Sequence, residues 1–537
     1  MRKSPAKRLS LWMRLMMFLI ALGIVFRLAN LDQKIFWVDE VATAIRVAGY
    51  TRAEVVQQVS DGQVLHPPDL LRYQQLRVAG RDRPWRDTWN ALTQSPEHTP
   101  LYFLLTRLWS QVFGSSVAAI RSLSVVFGLL MLPALYALCW ELFQSRLVGG
   151  LAVAWLSVSP FFVAYSQEAR PYSLWALLLL VSGVTLLRAL QQPTPTRWMQ
   201  YAIALTLSLY TSVLTLPIGL GHGLYAIATD QEKSALRLRG FLFAAILAGL
   251  LFLPWMVVMV QQWSTLQENT TWARSPLNPL AMLAIWLYSF AVLAFDVPVA
   301  PLSSPLAIVQ VVIAAIVLAL MGWACWHLSR RTSPRVSGFV AAIALPTPLL
   351  LVLVDLLQGG QSAATSRYLI PTQIGLVLAV AALLGQHLGK LPETSSRKRW
   401  RVAAIALLSI SIFSCFVNLE RSPDYQKARN LANPAIATIL NQQPTQTLWA
   451  EASQTLDLLS LSHLLEPTVT LRILPTEALI QAIAPDQAAL LFTPSEALRQ
   501  KIQENSSLQI SLLYQPSLLT PDDIHLSLWQ VKQVSSD

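Results

Sequence analysis

Leu11-Trp12-Met13-Arg14-Leu15-Met16-Met17-Phe18-Leu19-Ile20-Ala21-Leu22-Gly23-Ile24-Val25-Phe26-Arg27-Leu28-Ala29-Asn30 decides the class of this chain. A helix needs about 20 mostly apolar residues to cross a bilayer, and this run supplies them directly after Arg2, Lys3, Lys7 and Arg8. That flank places the N-terminus in the cytoplasm. The apolar core is longer than that of a signal peptide and no small-residue cleavage site follows, so the helix is retained and the chain emerges outside from about residue 31.

Working outward, the rest of the chain has the same character. Of 537 residues 54% are apolar and only 13% charged, with a mean hydropathy of +0.47. Soluble domains carry roughly 25% charged residues, so several ordinary soluble domains are excluded, as are collagen-like and disordered classes. Further spans are expected near 119–143, 147–165, 171–190, 198–215, 216–229, 239–260, 305–328, 337–357, 368–388 and 401–418, about eleven with the first. Parity supports the count. Arg146, Arg188 with Arg197, Lys233 to Arg239, Arg330, Arg331 and Arg335, and Lys390 to Arg401 all fall on the cytoplasmic side, provided that the runs 100–113 and 279–295 lie in or dip into the outer interface. Trp85, Trp89, Trp109, Trp263 and Trp272 then join an outer aromatic belt. The net charge of +11 resides in these short basic segments, which argues against nucleic acid. Cys139, Cys325 and Cys415 sit in apolar runs, as packing residues and not a disulfide or metal framework.

An odd span count leaves the last 120 residues outside. There, helix-like segments (Asn433 to Gln443, Ser453 to Leu465, Thr476 to Ile483, Ser495 to Asn505) alternate with strand-like ones (Thr447 to Ala450, Val469 to Ile473, Ala488 to Phe492, Leu508 to Tyr514, His525 to Val531), the pattern of a small α/β domain. No Gly-rich phosphate loop marks it as a nucleotide site. The expected organisation is an all-α polytopic membrane domain over 1–420, with 31–118 as its first extracytoplasmic loop, and a soluble extracytoplasmic α/β domain over 421–537. The sequons at Asn269 and Asn505 fall on the outer side.

Four outer segments carry chemistry. In Phe36-Trp37-Val38-Asp39-Glu40, Asp39 is either an N-cap with Glu40 in the first turn, or one carboxylate is a general base at the membrane surface. In His98-Thr99-Pro100-Leu101-Tyr102, Thr99 and Pro100 suit a helix start, whereas His98 has no such reason and is open to a phosphate or metal. Tyr165-Ser166-Gln167-Glu168-Ala169-Arg170-Pro171-Tyr172 is a very short loop. Its Glu168 and Arg170 either neutralise each other or serve a ligand, since charges are costly there. In Ser366-Arg367-Tyr368-Leu369-Ile370-Pro371, Arg367 either snorkels or grips a phosphate through paired hydrogen bonds. Together they place acids and arginines on one face, which fits an anionic membrane-anchored donor beside a proton-accepting carboxylate.

These four segments, in this order, resemble the bacterial family 39 glycosyltransferases, relatives of protein mannosyltransferases and of the aminoarabinose transferase of lipid A, within the GT-C fold. The resemblance covers roughly residues 11 to 420, and the Asp-Glu pair and the Ser-Gln-Glu-Ala-Arg loop are its most specific parts. It implies transfer of a sugar from a polyprenyl-phosphate carrier to a lipid, glycan or protein acceptor on the outer face of the plasma (inner) membrane. It further implies that Asp39 is the base, with Glu40 supporting it. Glu168 would orient acceptor or metal, and Arg170 and Arg367 would hold the donor phosphate with Tyr368 beside them. His98 and Tyr102 would contribute to substrate binding. Many members have His-Pro-Pro where this chain has His98-Thr99-Pro100. A divalent cation is left open by the resemblance. The implied reaction is a single inverting displacement with lipid phosphate as leaving group.

A secondary transporter or lipid-linked-substrate flippase is the rival class. Its signs would be mid-membrane ionisable residues or broken helices, with Asp355 and His222 as the residues to watch. Asp355 lies close to a helix end, and His222 is flanked by Gly221 and Gly223, which suits close helix packing. A receptor or scaffold working through the outer tail is a third reading.

Overall fold

The computed structural model describes residues 11–76, 83–229, 235–301, 303–389, 395–420, 428–443, 446–483, 489–504, 508–516 and 526–533. Arg2, Lys3, Lys7, Arg8, Lys233, Lys390, His525 and the Asn505 sequon lie outside them. By their contacts the residues form two compact units: Met1–Leu31, Ser95–Tyr102 and Arg121–Glu420 make the first, and Asp32–Gln94, Phe103–Ile120 and Arg421–Asp537 the second.

The first unit is helical. Its centre is the helix Ile370–Leu388, apolar on every side, which packs against Arg146–Ser157, Pro305–Arg331 and Pro334–Ala344. Over an apolar 18-residue stretch of each, 83% of Ser366–Leu388 is buried, against 17% for Pro305–Arg331 and 28% for Ala235–Gln261. A helix hydrophobic all round and yet exposed, as Ile308, Val311, Ile316, Leu242, Ile246 and Leu250 are, needs an apolar solvent, so these two helices face lipid. Among the described residues six helices are long and apolar enough to cross a membrane, or up to eight if the bent pairs Arg146–Ser157 with Pro160–Ser166 and Pro334–Ala344 with Pro346–Gln358 each count as one. The chain is thus a multi-pass membrane protein. Of the other expected spans, Leu11–Leu28 is an apolar helix of 18 residues, while Pro195–Leu209 and Thr215–Thr229 are helical but shorter than that count requires, at 15 residues each. The runs placed at the interface are the helices Leu101–Phe113 and Pro279–Ala291. Trp85, Trp89, Trp263 and Trp272 are all exposed.

The second unit holds a five-stranded sheet of β1 (Leu448–Glu451), β2 (Leu471–Leu474), β3 (Ala489–Phe492), β4 (Leu508–Tyr514) and β5 (Leu528–Gln533), ordered β2-β1-β3-β5-β4. The first three strands are parallel and joined by the helices Thr455–Leu461 and Thr476–Ala482, while β5 and β4 close one side antiparallel. Leu479, Leu491, Leu498, Ile502 and Val531 form its core. The expected α/β alternation is present to within a few residues. The free edge of β2 is taken by the first loop: Leu65 and Leu471 exchange backbone hydrogen bonds of 2.9 and 2.8 Å, and Gly62 N donates to Ile473 O. Loop and sheet are therefore one packed body, with no exposed β2 edge left at that register.

Candidate active site

The first unit builds its polar centre around a helix break. Arg146–Ser157 stops and Pro160–Ser166 resumes at an angle of 61°, which leaves terminal carbonyls without intrahelical partners. Arg27, fully buried in the opening helix, supplies them: it donates to Leu156 O at 3.1 Å and Ser157 O at 2.6 Å, and also to Gly23 O and Ser166 Oγ. Gln167 answers in the other direction, its amide donating to Phe26 O and Ala29 O at 2.8 Å at the end of Leu11–Leu28. The approach is close because Gly23 and Gly128 lack side chains; a Cβ at either would run into Ser157 O or Ser166 Oγ. This cross-capping fixes where Tyr165–Tyr172 emerges.

In that loop Arg170 N donates to Glu168 O at 2.8 Å, Ser173 Oγ to Tyr165 O at 3.0 Å and Trp175 N to Pro171 O at 2.8 Å, so that the turn runs straight into the helix Tyr172–Gln191. Glu168 and Arg170 are both buried. Tyr165 joins this loop to the fourth segment: its hydroxyl lies 3.3 Å from Ser366 Oγ, and the charges of Glu168 and Arg367 both reach it. Arg170 lies over Tyr172 and Arg367 over Tyr368, with guanidinium carbons 5.8 and 5.6 Å from the ring centroids. Trp272 approaches Tyr368 at 6.5 Å.

Asp355 explains why Ser366–Leu369 stands where it does. The helix Pro346–Gln358 ends on left-handed Gly359 (φ 72°), and Asp355 turns back to accept from Ser362 N and Ala363 N at 2.8 and 2.7 Å. Gln361 ties the same loop to Ala273 O and Trp272 O. Asp355 thus has a structural use as a loop cap. His222 faces the Tyr201 hydroxyl at 3.1 Å and stacks on Phe339, while a Cβ at Gly221 would strike Ala342 O. The glycines beside it serve close helix packing, as expected.

The second segment joins through Ser124, which sequence reasoning did not single out. Tyr102 Oη lies 2.7 Å from Ser124 Oγ, which donates to Arg170 O at 3.4 Å. His98 Nε2 is 3.7 Å from Glu97 Oε1, and Glu97 accepts from Asn269 Nδ2 at 3.1 Å. Thr99 corrects an expectation. It does not cap Leu101–Phe113: its hydroxyl finds no hydrogen-bond partner among the described residues, and Leu101 N donates instead to Tyr210 O at 3.0 Å. The first unit therefore brings together Tyr102, Tyr165, Glu168, Arg170, Arg367 and Tyr368 through direct contacts or one intervening serine.

Asp39 and Glu40 belong to the second unit. The helix Val38–Ala48 starts from Trp37, which gives no side-chain cap, and both acids fall in its first turn. Asp39 is therefore not the N-cap, a second correction; the backbone turns helical one residue before it. Two carboxylates there still complement the N-terminal partial charge. Glu40 is buried and Asp39 half-buried. Among the described residues no three His, Cys, Asp or Glu side chains come together as a metal site.

The structure is a bundle of apolar helices with a buried acid and two arginines before adjoining helices, and an α/β unit in the same chain; comparison with known proteins points to the class that the motifs resemble. Residues 97–258 match the family model of dolichyl-phosphate-mannose-protein mannosyltransferases. The fold is similar to that of ArnT from Cupriavidus metallidurans in the apo state, with 12% identity, 96% of this chain and 97% of that chain covered and a TM-score of 0.52. The same protein bound to undecaprenyl phosphate gives 12% identity, 97% and 98% coverage and a TM-score of 0.51. No curated protein matches the sequence.

Proposed function

We propose that this chain is a membrane glycosyltransferase that moves a hexose or pentose from a polyprenyl-phosphate carrier to a lipid, glycan or protein acceptor at the extracytoplasmic face, with inversion. The observation that carries the proposal is the meeting of Tyr165–Tyr172 with Ser366–Tyr368, which gathers Glu168, Arg170 and Arg367 at helix starts within an ArnT-like fold. That ArnT binds undecaprenyl phosphate makes a polyprenyl phosphate the carrier proposed. The reading sets 1–420 as the membrane domain of the plasma (inner) membrane with a cytoplasmic N-terminus, and 421–537 as extracytoplasmic.

In the reaction, the acceptor hydroxyl gives its proton to Asp39, supported by Glu40. The freed oxygen attacks the anomeric carbon as the bond from that carbon to the phosphate oxygen breaks. The electron pair leaves on the lipid phosphate, where Arg170 and Arg367 compensate the charge that develops. Tyr368 flanks that phosphate, His98 and Tyr102 bind substrate, and Glu168 orients the acceptor. A phosphate leaving group needs little protonation, so one base suffices. No step is routed through a cation.

The test is incubation of purified protein with a panel of polyprenyl-phosphate sugars, scored by lipid-phosphate release and sugar transfer. Loss of a general base or of a charge-stabilising donor each costs on the order of 100-fold or more, so Asp39→Asn and Arg367→Ala variants are expected to fall by at least that factor. Transfer at the parental rate by both variants, present in membranes at normal levels, would refute the assignment. Uptake into sealed vesicles without transfer would favour a transporter.

A further inference from the structure

The start of the helix bearing Asp39 is held by residues from the far end of the chain, all within the second unit. Val38 N, the first helical N–H, donates to Asn430 Oδ1 at 3.0 Å, filling the cap that Trp37 leaves open. On the preceding residue, Phe36 O accepts from Ser460 Oγ at 2.7 Å, and Ser460 Oγ in turn accepts from Asn433 Nδ2. Phe36 also packs against His463 at 4.9 Å.

Behind this sits Asp457, 1% exposed. It receives Asn430 Nδ2 at 3.2 Å and both arms of Arg429 at 3.0 and 2.7 Å. The amide of Asn430 is oriented by this arrangement, with nitrogen toward Asp457 and oxygen toward Val38. Arg429 does more than balance Asp457. Its guanidinium stands above its ordinary value through the hydrogen bonds to Asp457, against the opposing effect of burial, and then through the charges of Asp457 and Asp39. The 3.0 Å bond between Val38 N and Asn430 Oδ1 joins the chain neighbours of Asp39 and Arg429, which brings the carboxylate and the guanidinium into the same corner of the second unit.

We propose that Arg429, fixed by Asp457 in the C-terminal part of the chain, is a positioning residue for the Asp39 carboxylate. The inference rests on the reading of Asp39 as the base. A fixed bidentate guanidinium gives both charge and direction, which a flexible ammonium reproduces only in part.

The experiment uses the full chain in membranes and a polyprenyl-phosphate sugar that the parent turns over, and compares Arg429→Gln, Arg429→Lys and Asp457→Asn, with folded yield followed by size exclusion. Arg429→Gln and Asp457→Asn are expected to lower kcat at least 10-fold with KM for the donor within twofold, and Arg429→Lys to recover part of the loss. Parental kcat in folded Arg429→Gln overturns the proposal, as does a rise in donor KM with kcat intact. If Arg429→Gln does not fold, Asp457→Asn decides by the same two criteria. A parent that transfers no sugar refutes the proposed function instead, so the two failures are distinct.

Discussion

At the residue scale, several polar groups here owe their charge state or direction to one or two named partners. Glu54 in the first loop is an instance. It forms a capping box with Thr51 and takes both arms of Arg83 at 3.2 Å, while Arg83 lies 3.8 Å over the Tyr50 ring. Burial pushes its carboxyl upward, but the hydrogen bonds from Thr51 and the nearby Arg83 outweigh that and hold it below the ordinary glutamate value. A carboxylate with a depressed folded value contributes stability that is present above its unfolded value and lost as pH falls through the folded one. The parent should therefore be more heat-stable than Glu54→Gln near neutral pH, and the gap should close as pH falls below the ordinary glutamate range. Thermal unfolding of both proteins across pH checks this, and a gap that is constant with pH would contradict it. Asp39 teaches a related lesson. Its type and place suit an N-cap, yet the turn begins at Trp37 and the cap comes from Asn430.

At the scale of elements, the break between Arg146–Ser157 and Pro160–Ser166 is the feature on which the loop Tyr165–Tyr172 depends. Arginine in an otherwise apolar span is expensive and marks a use; Arg27 carried that signal in the sequence, but its partners, 129 to 139 positions away, did not. Hydrogen bonds from a charged donor contribute about 1.5 to 3 kcal/mol each in favourable cases. Arg27→Met should then destabilise the protein by at least about 2 kcal/mol and reduce sugar transfer through displacement of the loop. A thermal shift in detergent together with the transfer assay measures both effects. An unchanged midpoint with full activity would mean that the break holds itself. The helix Pro346–Gln358 behaves similarly: Asp355 invited a transport reading, and its use in shaping the turn before Arg367 emerges only when Ser362 and Ala363 are seen to donate to it.

At the scale of the whole molecule, compactness and linear order differ. Which residues meet the membrane is one question, for which the division at about 420 stands as proposed. Compactness is another, and it groups the first loop with the tail. The Leu65–Leu471 pairing, the bond from His463 Nε2 to Gln74 Oε1 at 2.9 Å and the Asn430 cap all connect them. A chain ending at about residue 425 is accordingly expected to lose activity even though Glu168, Arg170 and Arg367 are retained, because the helix start at Val38 loses its cap and the loop its sheet. Transfer assays on the truncated protein, with membrane levels matched, test this; parental activity would show that the loop holds its form alone. Since loss of activity is expected of an enzyme here, truncation does not separate an enzyme from a receptor, and the donor assay does.

The amino-acid sequence by itself determined the membrane class, the helical character of the apolar runs though not their breaks at 158–159 and 345, the alternation of strands and helices after Asn430 and the four segments with unusual charge. All of these depend on local hydropathy, periodicity and residue type, which are properties of a few neighbouring positions. Only the tertiary structure decided which carbonyls Arg27 satisfies, that Ser124 links Tyr102 to Arg170, and that Asn430 caps Val38 across 392 positions. The reason is physical: a buried hydrogen-bonding group must find a partner somewhere, but nothing local in the chain says where.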